Sequence, residues 1–326
     1  MALAFRAAVA QQAPAAQDPS LDNLVHEAGY KTAEPGVLGA VVERGRGPTD
    51  MVLISGFGLG ASAFEGFMQR NAKRYRMLAI TLPGFEGTAA PAMPAPGTSF
   101  GDQTWTRAAT DAVVRLIGER GLRRPVLVGH YVNGTQVAAQ VAIEHPALIR
   151  GLVLLAGSPR YEPVEPTPFW PQGLTLDKKI SMVDAGLAPR WFKTVTRTTW
   201  VSNNFNAKDF STDEAHGAIY ADRANTPPLP VLIRYLCEYH AGDVAPGLAR
   251  STLPMLLIQP LFTEALRADE KRSYLPSYFK KPWDGVFEKR PNVTVMFLDD
   301  AGILIMDDQH REVDRQVARF LKKAAR

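Results

Sequence analysis

At 326 residues, 46% of them hydrophobic, the chain has enough apolar material for one large globular domain or a domain carrying an insertion. Thirty-seven basic residues against 33 acidic ones leave a net charge of +4 spread along the sequence, which argues against nucleic acid as a partner. No stretch approaches the roughly 18 apolar residues of a membrane span, and no histidine pair has metal-ligand spacing, so neither a membrane span nor a metal or other cofactor is expected.

The N-terminal run from Met1 through Ala8 and Ala10 resembles the tail of a secretory signal with an Ala-x-Ala cleavage site, interrupted by Arg6. The competing reading is a disordered Ala/Gln/Pro-rich arm, and residues 1–34 are set apart from the fold on either view. The signal reading implies a secreted or periplasmic protein, the other a cytoplasmic one. Beyond the arm, apolar strand runs alternate with amphipathic helical stretches, the pattern of an α/β domain with a mostly parallel sheet covered on both faces. Strands are expected at Val37 to Glu43, Met51 to Ser55, Arg76 to Thr81, Pro125 to Val128, Arg150 to Ala156, Met255 to Gln259 and Val293 to Leu298. The clearest helices are Ala63 to Lys73, Thr104 to Arg120, Gly134 to His145 and Gln309 to Lys323, the last with Val313, Val317, Phe320 and Leu321 on one face.

The alternation stops between residues 158 and 250, which are rich in Pro and aromatic residues, show helical patterns and contain no strand run. This segment reads as a helical cap inserted into a core made of residues 35–157 and 251–326. Its aromatics Phe169, Trp170, Trp191, Phe192, Trp200, Phe205 and Phe210 are candidates to line an apolar pocket over the strand ends, or to pack the cap's own core. Cys237, the single cysteine, cannot form an internal disulfide and sits in a helix-like run as a core thiol.

One segment carries the most chemistry. Pro125-Val-Leu-Val-Gly129-His130-Tyr131-Val132-Asn133-Gly134 runs from an apolar strand through a tight turn into an alanine-rich helix, the setting in which a G-x-S-x-G elbow presents a nucleophile. Tyr131 holds the apex, and Asn133 stands where the second Gly is expected. A phenol, with a reference pKa near 10, is a weak nucleophile unless a base lies beside it.

Four further segments, in order, complete a resemblance to the α/β-hydrolase superfamily, of the capped kind that includes esterases, epoxide hydrolases and haloalkane dehalogenases. Ile54-Ser55-Gly56-Phe57-Gly58 resembles the oxyanion loop, and Leu82-Pro83-Gly84-Phe85-Glu86-Gly87 the P-G-x-G turn. Thr263 or Glu264 stands where the family places its acid, and Ile303 where it places its catalytic histidine. The resemblance implies an α/β-hydrolase fold over residues 35–325, with all three triad positions substituted. An isoleucine cannot accept a proton, and losing the nucleophile or the histidine of a serine triad costs about as much as losing all three members.

The histidines offer few replacements. His130 adjoins the apex and reads as structural, His145 ends a helix, His310 begins one, and His26 lies in the arm. His216 and His240 belong to the cap segment, from which either could reach over a pocket. Binding equipment is retained: Gly56, Phe57 and the Val132 amide could present oxyanion donors, with the Tyr131 hydroxyl, His130, Asn133, Trp170, Trp191 and His240 around a ligand.

Three readings stay open. The chain is a binding protein for a small apolar carbonyl-containing ligand, as the plant gibberellin receptors, also hydrolase-like, have lost the histidine to an aliphatic residue. Alternatively, Tyr131 is the general acid of a non-hydrolytic enzyme catalysing elimination, cyclisation or retro-aldol cleavage, with Glu264, His216 or His240 as base. The third reading is an ester or epoxide hydrolase with relocated catalytic residues. All three place Tyr131 on a left-handed backbone facing a cavity beneath residues 160–250, or, failing a cavity, plugging the space the nucleophile vacated.

Overall fold

The computed structural model describes residues 31–34, 36–167, 170–203, 205–288 and 290–324; the arm up to residue 30, with His26, and Phe169 lie outside the described residues. Seven strands form the main sheet: β1 (Ala40–Arg44), β2 (Thr49–Ile54), β3 (Tyr75–Thr81), β4 (Val126–His130), β5 (Gly151–Leu155), β6 (Met255–Phe262) and β7 (Val293–Asp299). Their order is β1-β3-β2-β4-β5-β6-β7, parallel throughout except that β1 runs antiparallel to β3. A two-residue parallel pairing of Thr32–Ala33 with Ala90–Pro91, unforeseen in the sequence, lies outside this sheet.

All seven sequence-derived strands are present, and the differences lie at their ends. Val37 was expected in the first strand but precedes it, 50% exposed. The last two strands run on, β6 three residues past Gln259 with a register shift between Pro260 and Phe262. Every residue of β4 and β5 is buried, as expected for strands covered on both faces. The edge strand β7 alternates instead and leaves Val295 and Phe297 part exposed.

The helices begin with α1 (Glu65–Asn71), led in by a 3₁₀ turn at Ala61–Phe64, then α2 (Thr104–Glu119) and α3 (Tyr131–Glu144). Between β5 and β6 come α4 (Leu176–Met182), a π-turn at Val183–Leu187, α5 (Ala188–Thr194), α6 (Arg197–Asn203), α7 (Ala207–Phe210), α8 (Glu214–Asn225), α9 (Leu229–His240) and α10 (Ala245–Arg250). The described residues there contain no strand, only an isolated bridge between Arg160 and Asp243. A second helical connection that the sequence reading missed, α11 (Glu264–Ala268) and α12 (Leu275–Lys280), lies between β6 and β7. The chain closes with α13 (Ile305–Asp308) and α14 (His310–Ala324), and α14 buries the expected Val313, Val317, Phe320 and Leu321.

One buried carboxylate ties the helical excursion to the core. Glu238 on α9 is 0% exposed and accepts from the first-turn amides of α2, Trp105 N at 3.0 Å and Thr106 N at 2.9 Å, and from the Thr106 hydroxyl at 2.8 Å. Arg234, one turn earlier, completes the pair at 2.9 Å. A negative charge there both satisfies orphan helix donors and meets the positive end of the helix dipole. Cys237, between them in sequence, is a buried free thiol, as expected.

Candidate functional site

β4 lies at the centre of the sheet, and its last residue, His130, leads directly into α3, so the apex of the turn opens at the C-terminal edge of the strands. This is where ligands bind in open α/β sheets. Tyr131 has φ of 55°, the left-handed conformation expected at the apex and one that costs a non-glycine residue on the order of 1–3 kcal/mol. Close packing fixes the turn: a Cβ on Gly56 would collide with the His130 carbonyl and the Tyr131 Cβ, and one on Gly134 with the Ile54 carbonyl. Helix α3 thus starts three residues earlier than expected, at the apex itself.

Tyr131 is buried beneath an aromatic ring. It is 3% exposed, with the ring of Phe279 on α12 centred 6.2 Å away, and Phe279 in turn lies 5.7 Å from Phe262 at the end of β6. Burial, reinforced by the negative charge of Asp209, pushes the Tyr131 phenol well above its usual range. It therefore stays protonated, a hydrogen-bond donor rather than a nucleophile.

The loop carrying Ile303 is held by main-chain atoms. Ile303 N donates to Asp209 O at 2.9 Å and Leu304 N to Phe210 O at 2.7 Å, joining the loop to α7. Asp308 adds the amide of Gly302 at 2.7 Å and the hydroxyl of Ser211 at 2.6 Å. The Ile303 carbonyl lies 2.8 Å from His130 Nε2. A carbonyl only accepts, so Nε2 carries the proton and Nδ1, buried and without a partner, is the bare nitrogen. Burial lowers the His130 pKa to about 4, against the smaller opposing effect of that hydrogen bond. His130 is thus a neutral structural tie, with the ring of Phe64 edge-on at 5.6 Å.

The residues expected at the acid position serve helix α11. Thr263 caps α11 by accepting from Leu266 N at 3.2 Å, and Glu264 is exposed in the first turn of that helix. The other suspected bases are engaged as well. His216 pairs with Asp307 at 3.2 Å. His240, expected to reach over a pocket, is locked: its Nδ1 donates to Leu236 O at 2.7 Å, and burial drives its pKa down to about 3. Four rings surround it, Tyr161 at 4.1 Å, Trp191 at 5.5 Å, Tyr239 at 5.5 Å and Trp170 at 5.6 Å. His145 and His310 stand at the ends of α3 and the start of α14, as their sequence positions required.

The excursion's aromatics pack into clusters. Trp170 and Trp191 belong to the His240 group, whereas Trp200 and Phe205 close on Phe57 at 6.2 and 5.8 Å. Phe57 is fully buried in the loop after β2. Its amide follows Gly56 in sequence, and that of Val132, second residue of α3 and so lacking an intrahelical acceptor, follows Tyr131, so the Gly56–Tyr131 contact brings the two segments together. Asn133 donates from Nδ2 to Tyr235 O at 3.2 Å, which leaves its buried Oδ1 unpartnered.

Sequence reasoning missed Asp209. This carboxyl is 6% exposed, pairs with Arg272 at 2.7 Å through Oδ2, and has a buried Oδ1 without a hydrogen-bond partner. Burial raises its pKa, and the Arg272 charge opposes that rise. The run Asn206-Ala-Lys-Asp209 has capping-box spacing, and Asn206 N donates to Asp209 Oδ2 at 3.2 Å, but nothing local in it signals burial of the carboxyl. Among the described residues, no three His, Cys, Asp or Glu side chains gather to hold a metal ion.

Comparison with known proteins places these features in a family. The model of the alpha/beta hydrolase family matches residues 51–316. The chain is 24% identical over 241 residues to the pimeloyl-[acyl-carrier protein] methyl ester esterase of Nitrosomonas europaea, covering 71% of this chain and 85% of that one. It is 27% identical over 115 residues to the Yersinia enterocolitica protein of the same name, covering 35% of this chain, and there it spans only 39% of the relative's length. Solved structures of similar fold include a thermophilic esterase from Thermogutta terrifontis, with TM-score 0.61, 18% identity and coverage of 90% of this chain and 97% of that one. Another is the enol-lactonase from Burkholderia xenovorans LB400, with TM-score 0.56, 18% identity and coverage of 87% and 96%.

Proposed function

The chain belongs to the alpha/beta hydrolase family, and from that premise we propose that it has left triad hydrolysis and binds a small apolar ligand bearing a carbonyl oxygen. The observation that carries this reading is Ile303 in the histidine position, its carbonyl held by His130 Nε2 at 2.8 Å. With the imidazole neutral, tied away and of low basicity, nothing positioned at the elbow takes a proton from residue 131. The ligand oxygen docks on the Tyr131 hydroxyl and the amides of Phe57 and Val132, and residues 158–250 serve as the cap. Binding requires Phe279 and the cap to give way, since Tyr131 is packed over in the closed form.

A second reading is favoured by Asp209. A buried carboxyl whose Oδ1 has no partner, on the segment bonded to the Ile303 loop, is the base that a non-hydrolytic enzyme would need, in place of Glu264, His216 or His240. In that case Tyr131 protonates or hydrogen-bonds the developing oxyanion while Asp209 removes a proton from carbon.

One set of measurements separates the readings. Slow turnover of p-nitrophenyl acetate is expected, and fast turnover that titrates with an organophosphate would instead restore an ester hydrolase with relocated residues. For a ligand found by thermal-shift screening, Tyr131→Phe should weaken binding by about 0.5–1.5 kcal/mol, the net worth of a neutral hydrogen bond, with the ligand recovered intact by mass spectrometry. Consumption that falls roughly 10²-fold or more in Tyr131→Phe and Asp209→Asn supports the enzyme instead.

A further inference from the structure

The charges that look dispersed in the sequence are gathered by the fold at the end of the sheet opposite Tyr131. There β1 ends at Arg44, and β2 and β3 begin at Thr49 and Tyr75. Two open surface grooves lie there. Arg44, Arg46 and Arg76, with Glu43, line one of about 710 Å³. Arg74, Arg311, Arg315, Arg319 and Lys322, with Asp314, line the other, of about 530 Å³. The two adjoin, because the loop carrying Arg46 is bonded to Ala72 O at 3.2 Å and packs at Gly47 against the backbone of Arg74.

Eight basic residues against two acidic ones give these grooves an excess of six positive charges, more than the +4 of the entire chain. Glu312, just outside the lining, is ion-paired with Arg315 and brings the excess to five, still above the +4 of the chain. Glu43 is shared between Arg76 at 2.7 Å and Arg120 at 3.2 Å, and Asp314 is engaged by Arg70 at 3.1 Å and Asn71 at 3.0 Å. Arg311, Arg315 and Arg319 recur every four residues along the exposed face of α14, a row of guanidinium groups about 6 Å apart whose opposite face is fixed in the core.

We propose that these joined grooves bind a linear polyphosphate chain. Seven of the eight cations are arginines, whose planar forks match phosphate oxygens in bidentate fashion. No aromatic side chain lines either groove, so there is no platform on which bases of a nucleic acid strand would stack. No large apolar side chain lines them either, so nothing there would insert into a bilayer. What remains is recognition of closely spaced phosphates by charge and hydrogen bonding. The site is independent of the elbow and of what the elbow binds.

The test is calorimetric titration of the full chain with medium-chain polyphosphate between about 50 and 200 mM salt, with oligo-dT and phosphatidylglycerol vesicles as competing ligands. Combining Arg74→Gln, Arg311→Gln, Arg319→Gln and Lys322→Gln should weaken polyphosphate binding at least tenfold near 100 mM salt. It should also lower the slope of log affinity against log salt by about three, at roughly 0.7 per phosphate contact of a single-stranded polyanion. A control removing the same charge elsewhere, at the exposed Lys178, Lys208, Lys271 and Lys280, should change affinity less than threefold. The assignment is overturned if both quadruple variants lose affinity alike, if polyphosphate does not bind, or if oligo-dT or the vesicles bind more tightly than polyphosphate.

Discussion

Two buried histidines should make this protein sensitive to mild acid. His130 and His240 are both neutral in the folded chain at pH 7 and stay so down to about pH 4 and about pH 3 respectively, whereas the unfolded chain protonates each near 6.5. Between pH 6.5 and 4 the unfolded state therefore binds more protons than the folded one, and stability falls as pH falls. Each histidine contributes about 1.4 kcal/mol per pH unit at most, so that by pH 4 the two together remove roughly 6 kcal/mol. That is a large share of the 5–15 kcal/mol that typical domains possess. Asp209 and Asp308, whose carboxyls burial raises, act in the opposite direction and offset part of the loss at lower pH. Urea unfolding at a series of pH values from about 7.5 to 4.5 measures the slope. His130→Asn, which keeps a donor for the Ile303 carbonyl but does not titrate, should flatten it by about 1.4 kcal/mol per unit below pH 6. An unchanged slope in His130→Asn, or an imidazole ¹⁵N titration of His130 centred near 6.5, would refute the neutral Nε2-protonated tie on which the non-hydrolytic reading leans.

Two further substitutions probe the packing around the site. Glu238→Ala strands the buried Arg234 and uncaps α2, and should cost about 3–5 kcal/mol by chemical denaturation; a loss under about 1 kcal/mol would mean that the carboxylate does not anchor α9. Phe279→Ala should cost about 3–5 kcal/mol and open a cavity beside Tyr131, with part of the loss regained when a small phenol or ketone is added in a thermal-shift assay. No ligand-dependent recovery would show that the space next to Tyr131 collapses and is not a latent binding site.

The elements that the sequence revealed are those whose signal is local. Seven apolar runs became seven strands, and the glycine-framed strand-to-helix turn placed Tyr131 on a left-handed backbone, because close approach and β-propensity are written within a few residues. The features that escaped are products of distance. Phe279 reaches Tyr131 from a connection that shows no periodic pattern, and Asp209 is buried by a loop some ninety residues away. The basic grooves assemble from residues 44–46, 74–76 and 311–322, so a net charge that looks diluted along the chain is concentrated in space. The surroundings of His240 escaped for the same reason: they include Tyr161, Trp170 and Trp191, each remote in sequence.

The way residue 303 is held has an evolutionary side. Its neighbours grip the loop through peptide N–H and C=O groups, which any amino acid other than proline provides, so the identity of the side chain is uncoupled from the position of the backbone. Selection could exchange an imidazole for a sec-butyl group, or the reverse, without having to rebuild the loop around it. Homologues carrying His at this place should therefore superimpose on the same main-chain path.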